Sequence, residues 1–378
     1  MTISKIIKKT VRSLIRYQIN KNQANYIKKI MYKNHLQNSK MDGEDDFMQK
    51  WSTLSRACDP SNYRCYSNYI NGGGRKNLIS GNICATEIEP VLNPIRYRDY
   101  YEDKNVFGKL YPKEWLPRTI IRRMNGIYMD EDYNVLNTID ANSMNKLVGG
   151  YDKFILKPSI DSCSGVGVSL FQKQGNIFID QNQNAFSFDF LEKNYGDDFI
   201  LQECVEQSEY LSQFNPTSIN TIRTVVYRSV KDNSLHVTNA IIRIGANKAV
   251  VDNAHSGGKF CGIDKQGNLG KYVCETFGEK SVMFNDIDFE KSNFRIPDFD
   301  KIIEFSKDIV KEIPHHRLVA LDIAVDKNNN PILIEYNIGG FSYWLFQFSG
   351  QVAIEGFTDE VIEYCKKHKS APILNIKI

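Results

Sequence analysis

The sequence predicts an α+β protein, and three observations carry that assignment. From about Tyr100 onward, short apolar runs divided by turn signals dominate the chain. Two stretches instead carry apolar residues at helical spacing: Pro297 to Ile313 (Ile302, Ile303, Phe305, Ile309, Val310) and Val352 to Lys367 (Ile354, Phe357, Val361, Ile362, Cys365). Finally, the runs Val319 to Asp326 and Pro331 to Asn337 flank the polar turn Lys327-Asn328-Asn329-Asn330 and read as a hairpin. Strands with helices between them make the α+β class.

Taken in chain order, residues 1–40 hold ten Lys or Arg and no acid, which leaves 38 basic against 45 acidic residues, net −7, in the remainder. Ile3, Ile7, Val11, Leu14 and Ile15 recur at helical spacing with Lys8, Lys9, Arg12 and Arg16 between them, the pattern of a basic amphipathic helix. Such a helix can lie on an anionic membrane, pack on the body with its basic face in water, or touch nucleic acid. No aromatic-interleaved basic motif or nucleic-acid fold signature follows, so nucleic acid is not expected, while peripheral membrane contact through residues 1–40 and packing on the body both stay open. Residues 41–100 are rich in Asp, Asn, Gly and Tyr, broken at Asn71-Gly72-Gly73-Gly74 and punctuated by Pro60, Pro90 and Pro94; they read as a linking or partly helical region. Strands are then expected at Phe154–Pro158, Gly167–Phe171, Phe199–Glu203, Ile219–Arg228 and His236–Ile244, before the final hairpin.

With 378 residues, 42% of them apolar and 25% charged, the chain has the composition of an ordinary globular protein and length for two or three subdomains. No run of about 18 apolar residues exists and no signal-peptide core is present, so a cytoplasmic protein is expected. The eight cysteines fall in no Cys-x-x-Cys pair and read as reduced thiols, neither a zinc site nor a disulfide frame.

The hairpin carries chemistry as well as structure. If its loop is the two-residue type centred on Asn328-Asn329, Asp322 lies opposite Glu335, about 4.5–5.5 Å apart at Cβ. Carboxylates that close raise each other's pKa unless a cation sits between them. Asn337 shares the strand face of Glu335, so Asp322, Glu335 and Asn337 form an oxygen-only set suited to Mg²⁺ holding nucleotide phosphates; the alternative is an exposed hairpin whose acids face water. Lys157 ends a strand and leads into Pro158-Ser159-Ile160-Asp161-Ser162-Cys163-Ser164-Gly165, where small residues such as Ser164 and Gly165 let main-chain N–H groups approach phosphate. This is neither a Walker A loop nor a Gly-x-Gly-x-x-Gly fingerprint, and a Gly-rich hairpin loop would look the same. Glu203, Cys204 and Val205 leave a strand end where main-chain groups can read an adenine edge, with Gln207 or Glu209 in reach of ribose. Arg223 and Arg243 each sit in an apolar strand, where a guanidinium wants an anion, either a substrate or a structural carboxylate. His255-Ser256-Gly257-Gly258-Lys259 is a further Gly loop whose His is read as a solvated residue sooner than a base.

In this order the pieces resemble the ATP-grasp superfamily, and within it the sugar-transfer-associated ATP-grasp proteins, also described as alpha-L-glutamate-ligase-related. The runs that carry the resemblance are Glu102-Asp103-Lys104, Leu156-Lys157-Pro158-Ser159, Ser218-Ile219-Asn220-Thr221-Ile222-Arg223, Val251-Asp252-Asn253, Ser256-Gly257-Gly258, Gly262-Ile263-Asp264 and Ile334-Glu335-Tyr336-Asn337, over about residues 100–350. The resemblance implies an ATP-grasp fold, two α+β subdomains (100–200 and 201–378) clamping the nucleotide, preceded here by a basic helical region and linker (1–99). It implies ATP and Mg²⁺ as cofactors, with Lys104, Lys157 and Asn220 on the nucleotide, the main chain of Glu203 to Val205 on adenine, and Asp322, Glu335 and Asn337 on the metal. Arg223 would then lie next to the transferred phosphoryl, with Arg243 beside it. The implied activity is an ADP-forming carboxylate–amine ligase acting through an acyl phosphate on small-molecule substrates, in a surface-polysaccharide context that rests on the family name. The alternatives are an ATP-binding, non-catalytic component of a glycan-assembly complex and an ATP-grasp kinase. The chain departs from the pattern in its basic N-terminal region, which stands where many such ligases have a βαβ domain, and in the less Gly-rich loop after Lys157.

Overall fold

The computed structural model describes residues 3–71, 74–137, 139–160, 166–246 and 257–368, with side chains from Thr10 onward. Ser164 and Gly165, the Val251-Asp252-Asn253 run, His255 and Ser256 lie outside the described residues, as do the side chains of Ile3, Ile7, Lys8 and Lys9.

Two antiparallel sheets organise the chain. The first contains β1 (Thr119–Met124), β2 (Ile127–Met129), β3 (Lys153–Pro158), β4 (Ser169–Gln174), β5 (Ile177–Ile179) and β6 (Phe199–Glu203), in the order β2-β1-β6-β3-β4-β5. Its strands alternate. Phe154, Leu156 and Phe171 point into a core shared with Met144, Val148 and Leu191, while Lys153, Ile155, Lys157, Val168 and Leu170 point the other way and line a cleft. Because β6 runs to Glu203, the boundary expected between residues 200 and 201 falls inside a strand: the main-chain ladder, not the composition, decides where the unit ends.

The second sheet holds β7 (Thr221–Arg228), β8 (Leu235–Ile244), β9 (Lys259–Ile263), β10 (Val273–Cys274) and β11 (Lys280–Ser281) together with two later strands, β14 (Leu318–Val325) and β15 (Pro331–Asn337). Its order is β11-β10-β9-β8-β7-β14-β15, and a separate two-stranded ribbon, β12 (Met283–Phe284) with β13 (Ile287–Asp288), lies between in sequence. The central strands β7 and β14 are buried along nearly their whole length, which explains apolar runs that are continuous where half-exposed strands would alternate. One face packs Ile222, Val226, Ile242 and Leu321 against the helix Phe299–Lys311 through Ile302, Phe305, Ile309 and Val310.

The opposite face corrects the expected linker. Val225, Tyr227, Ile241 and Ala320 share a core with Phe47, Trp51, Tyr63, Tyr66, Leu78, Ile79 and Ile83, so the region before residue 100 is a helical layer built on the second sheet and not a separate unit. Aromatic side chains drive this, since each buries a large apolar area; loop-like composition concealed it. Helix α1 is also longer than the periodicity suggested, spanning Ile3–Lys33, with Ile27, Ile30 and Met31 buried in that layer. The helix expected from Val352 begins only at Thr358, because Ile354 (φ 51°) and Gly356 (φ 84°) turn the chain first.

Four hairpin loops share one device: the Asp of an Asp-x-x-x-Asn segment accepts, through Oδ1, the N–H groups two and four residues on. They are Asp130–Asn134, Asp180–Asn184, Asp264–Asn268 and Asp326–Asn330. The last of these replaces the expected two-residue turn of the terminal hairpin. Asp322 does pair with Glu335, but Ile323 pairs with Leu333 and Val325 with Pro331, so Ile334 is an extra, bulged residue. A longer loop and a bulge offset each other and return both acids to one face.

Candidate active site

A cleft of about 570 Å³ lies between the two sheets. Its apolar walls are Ile155 and Leu170 from the first sheet, Val205 and Ile219 from the connector, and Ile334, the bulged residue of the hairpin. Val205 follows the end of β6, and neither its N–H nor its C=O is hydrogen-bonded among the described residues. An apolar slot beside free main-chain donor and acceptor groups suits a flat heteroaromatic ring with a hydrogen-bonding edge. Glu203 differs: its N–H donates to the Arg118 carbonyl at 2.9 Å and its carboxylate lies 3.5 Å from the Arg118 guanidinium. Cys204 also lines the cleft.

The other end is charged. Arg223 (β7), Arg243 (β8), Asp322 (β14), and Glu335 and Asn337 (β15) share one sheet face, because Asp322 is paired with both Arg223 and Glu335, and Ile241, two residues before Arg243, is paired with Arg223. Asp322, 1% exposed, has both oxygens taken. Arg223 Nε donates to Oδ1 at 2.7 Å and Nη2 to Oδ2 at 2.5 Å, while Arg243 Nη1 donates to Oδ2 at 2.9 Å. Burial alone would raise the pKa of this carboxyl, but the two guanidiniums, Arg223 first, outweigh it and hold the group well below the usual carboxylate range.

Lys104 and Lys157 arrive from the first sheet's side. The N–H of Lys104 donates to the Ser159 carbonyl at 3.0 Å, and the next residue, Asn105, is clamped: its side chain donates to the Arg123 and Phe199 carbonyls, and its own carbonyl accepts from Arg122 and Tyr133. That clamp brings Lys104 Nζ to 3.3 Å from Glu335. Lys157 is 7% exposed and its ammonium has no hydrogen bond among the described residues; burial, then the neighbouring Lys104, pushes its pKa down to about 7. Among the described residues, four cationic side chains thus meet two carboxylates here. A buried surplus of positive charge is costly unless an anion neutralises it, so this end is built for a polyanion.

Two expected nucleotide contacts fall elsewhere. Asn220 is fully buried, and its amide donates to Gln207 Oε1 and to the Leu211 and Asn215 carbonyls, a knot that shapes the 207–220 connector. Glu209 is exposed at the start of a helical turn and does not line the cleft. Gln207 spends its amide on the Asn215 and Ser218 carbonyls, so Glu206, which does line the cleft and pairs with Lys327, is the acid at this edge. Among the described residues no group of three His, Cys, Asp or Glu is placed to hold a metal ion, and no disulfide forms. Glu335 and Asn337 nevertheless offer adjacent oxygen donors, and the Asn337 amide nitrogen is buried without a partner. Turning that amide over would present an oxygen in its place.

Sequence reasoning missed the support beneath the hairpin. Glu102 accepts the N–H groups of Ile338 and Gly339, and Glu89 those of Gly340 and Phe341, so two carboxylates hold four successive N–H groups immediately after Asn337. Burial raises Glu89 to a pKa of about 7. A Cβ on Gly339 would stand 2.6 Å from Arg98 Nη1, so a larger residue there would have to displace that guanidinium. The Gly339-Gly340 pair was the available signal.

A family model described as sugar-transfer associated ATP-grasp matches residues 84–362. No curated protein matches the chain. Solved structures similar to it include the D-alanine-D-alanine ligase from Coxiella burnetii (12% identity, TM-score 0.39, covering 71% of this chain and 59% of that one). They also include the D-alanine–D-alanine ligase from Bacillus anthracis (13%, 0.39, 71% and 69%) and the ATP-grasp ligase PsnB complexed with a phosphomimetic variant of its minimal precursor, Mg and ADP (11%, 0.39, 86% and 75%). The chain spans about half to three fifths of the length of the first structures it matches.

Proposed function

The chain belongs to the sugar-transfer-associated ATP-grasp family, and on that premise we propose that it is a Mg-ATP-dependent, ADP-forming ligase that joins a carboxylate to an amine. The observation that carries this reading is the cleft, apolar with free main-chain groups at one end and lined by Lys104, Lys157, Arg243 and Glu335 at the other. Adenine fits the first end and the phosphates the second.

The residues present fit Mg²⁺ through oxygen donors alone, with Glu335 and Asn337 as the ligands; Asp322 would act chiefly as counter-charge for the two arginines. Bound Mg-ATP supplies the phosphoryl group and the means of spreading its charge. The protein supplies position and neutralisation, which is most of what phosphoryl transfer requires. Lys104 and Lys157 take the phosphate charge, and Arg243, fixed by Asp322, steadies the group in transit. A substrate carboxylate oxygen attacks the γ-phosphorus and ADP leaves. The amine nitrogen then attacks the acyl carbon, phosphate departs, and the amine loses a proton. No protein nucleophile is needed.

A small sugar or amino-acid substrate in surface-polysaccharide synthesis is the context the family description favours. Incubation with Mg-ATP, candidate acids and hydroxylamine is the test. Hydroxamate with stoichiometric ADP is the expected result; a stable phosphorylated product would make the protein a kinase, and nucleotide binding without turnover a non-catalytic component.

A further inference from the structure

We infer that α1 docks the protein on an anionic lipid surface through a single stripe of its length. Leu14, Tyr17, Lys21, Asn25, Lys28 and Tyr32 recur every three or four residues and fall on one side of the helix, and every one of them is exposed. Leu14 is 64% exposed, Tyr17 65% and Tyr32 84%, and their recurrence along one stripe, not the exposure of any one of them, is what marks the face. The other side of the helix is committed to the body: Ile27 and Ile30 are buried, Arg16 pairs with Glu87, the Gln23 amide donates to Asn62, and the Tyr26 hydroxyl donates to the Thr276 carbonyl. Lys29 and Lys33, just off the stripe, lie over the Phe277 ring. Lys21 and Lys28, on it, form no ion pair among the described residues.

Charge and composition choose the occupant. The first 40 residues carry ten Lys or Arg and no acid on a body of net −7, so an anionic surface meets this helix before it meets anything else. A duplex would be gripped at its phosphates by basic and hydrogen-bonding side chains, with no use there for an exposed Leu. Tyr and Leu between the lysines match an interface, where a ring or branched chain enters the headgroup layer while the ammonium stays with phosphate. No described helix is long and apolar enough to cross a membrane, so α1 would lie along the surface, held to a rigid body on its far side.

Co-sedimentation of the full chain with vesicles tests this without nucleotide or acceptor, so its outcome is independent of the proposed ligase chemistry. Retention is expected on phosphatidylserine-containing vesicles at 0.1 M salt and not on phosphatidylcholine alone. Because each basic residue near such a surface contributes about 1 kcal/mol, Lys21→Gln with Lys28→Gln should weaken partitioning about 30-fold. Leu14→Gln with Tyr17→Gln should remove whatever binding survives 0.5 M salt. These side chains are exposed, so an unchanged melting temperature will show the variants folded. Failure of the wild type to partition on anionic vesicles, equal retention on neutral ones, or retention indifferent to both pairs of substitutions overturns the proposal. So does tight binding to duplex DNA that ignores the Leu14 and Tyr17 changes.

Discussion

Lys157 is where burial and function meet most sharply. Its ammonium stands on the next-to-last residue of β3, enclosed beside Lys104, and the folded protein holds its pKa down near 7 against an ordinary 10.5. A polyphosphate in the cleft favours the charged form and raises that pKa again. The sign follows: below pH 7 the lysine is already protonated and nucleotide binds best, whereas above pH 7 binding must take up a proton. Nucleotide affinity should therefore fall as pH rises from 7 to 9, by up to tenfold per unit. Calorimetry in buffers of different ionisation enthalpy should show net proton uptake at pH 8. A flat affinity over that range, with no uptake, would remove Lys157 from the phosphate site. Asp322 behaves oppositely. Tied to two guanidiniums, it stays ionised at every pH the protein meets, so no titration of this acid should appear in such data.

At the scale of elements, the site depends on how the helical layer grips the second sheet. Asn93 is the clip: its amide donates to the Leu318 and Ile338 carbonyls at 2.6 Å, and its Oδ1 accepts the N–H groups of Arg317 and Leu318. It thus holds the start of β14 and the end of β15, the two strands that carry Asp322 and Glu335. Asn93→Ala would leave several buried main-chain groups without partners, each costing about 1–3 kcal/mol, so a loss of at least about 3 kcal/mol in urea unfolding is expected. A loss under about 1 kcal/mol would mean that the layer and the sheet are held by apolar packing alone. These strands were legible in the sequence because Val, Ile and Leu runs between polar turns have few other uses. The pairing of Asp322 with Glu335 was legible too, yet for an incomplete reason, since a two-residue turn was assumed where a five-residue loop plus the bulge at Ile334 gives the same pairing. Bulges leave no local signature. Asn220 and Glu209 were misplaced because a motif fixes which residues are near a site, whereas hydrogen bonds to Gln207, Leu211 and Asn215 decide which way one of them points.

At the scale of the whole molecule, the layer before residue 100 was hidden because its Tyr, Phe and Trp residues have no regular period, and only contact with the second sheet gives them a common core. With that layer in place, one face of the sheet is helical cover over most of its extent and reactive at one edge, while the first sheet closes over the edge with Lys157 and the Asn105 clamp. On the proposed function the nucleotide would join them, lying between the sheets and neutralising cations contributed by both. Thermal unfolding with and without excess Mg-ATP, on the wild type and on Glu335→Gln and Lys157→Ala, tests this most directly. Ligand at about 100 times its Kd should stabilise the wild type by about 2.7 kcal/mol, and both substitutions should remove most of that gain. No shift in the wild type, with metal and nucleotide both in excess, would contradict the account.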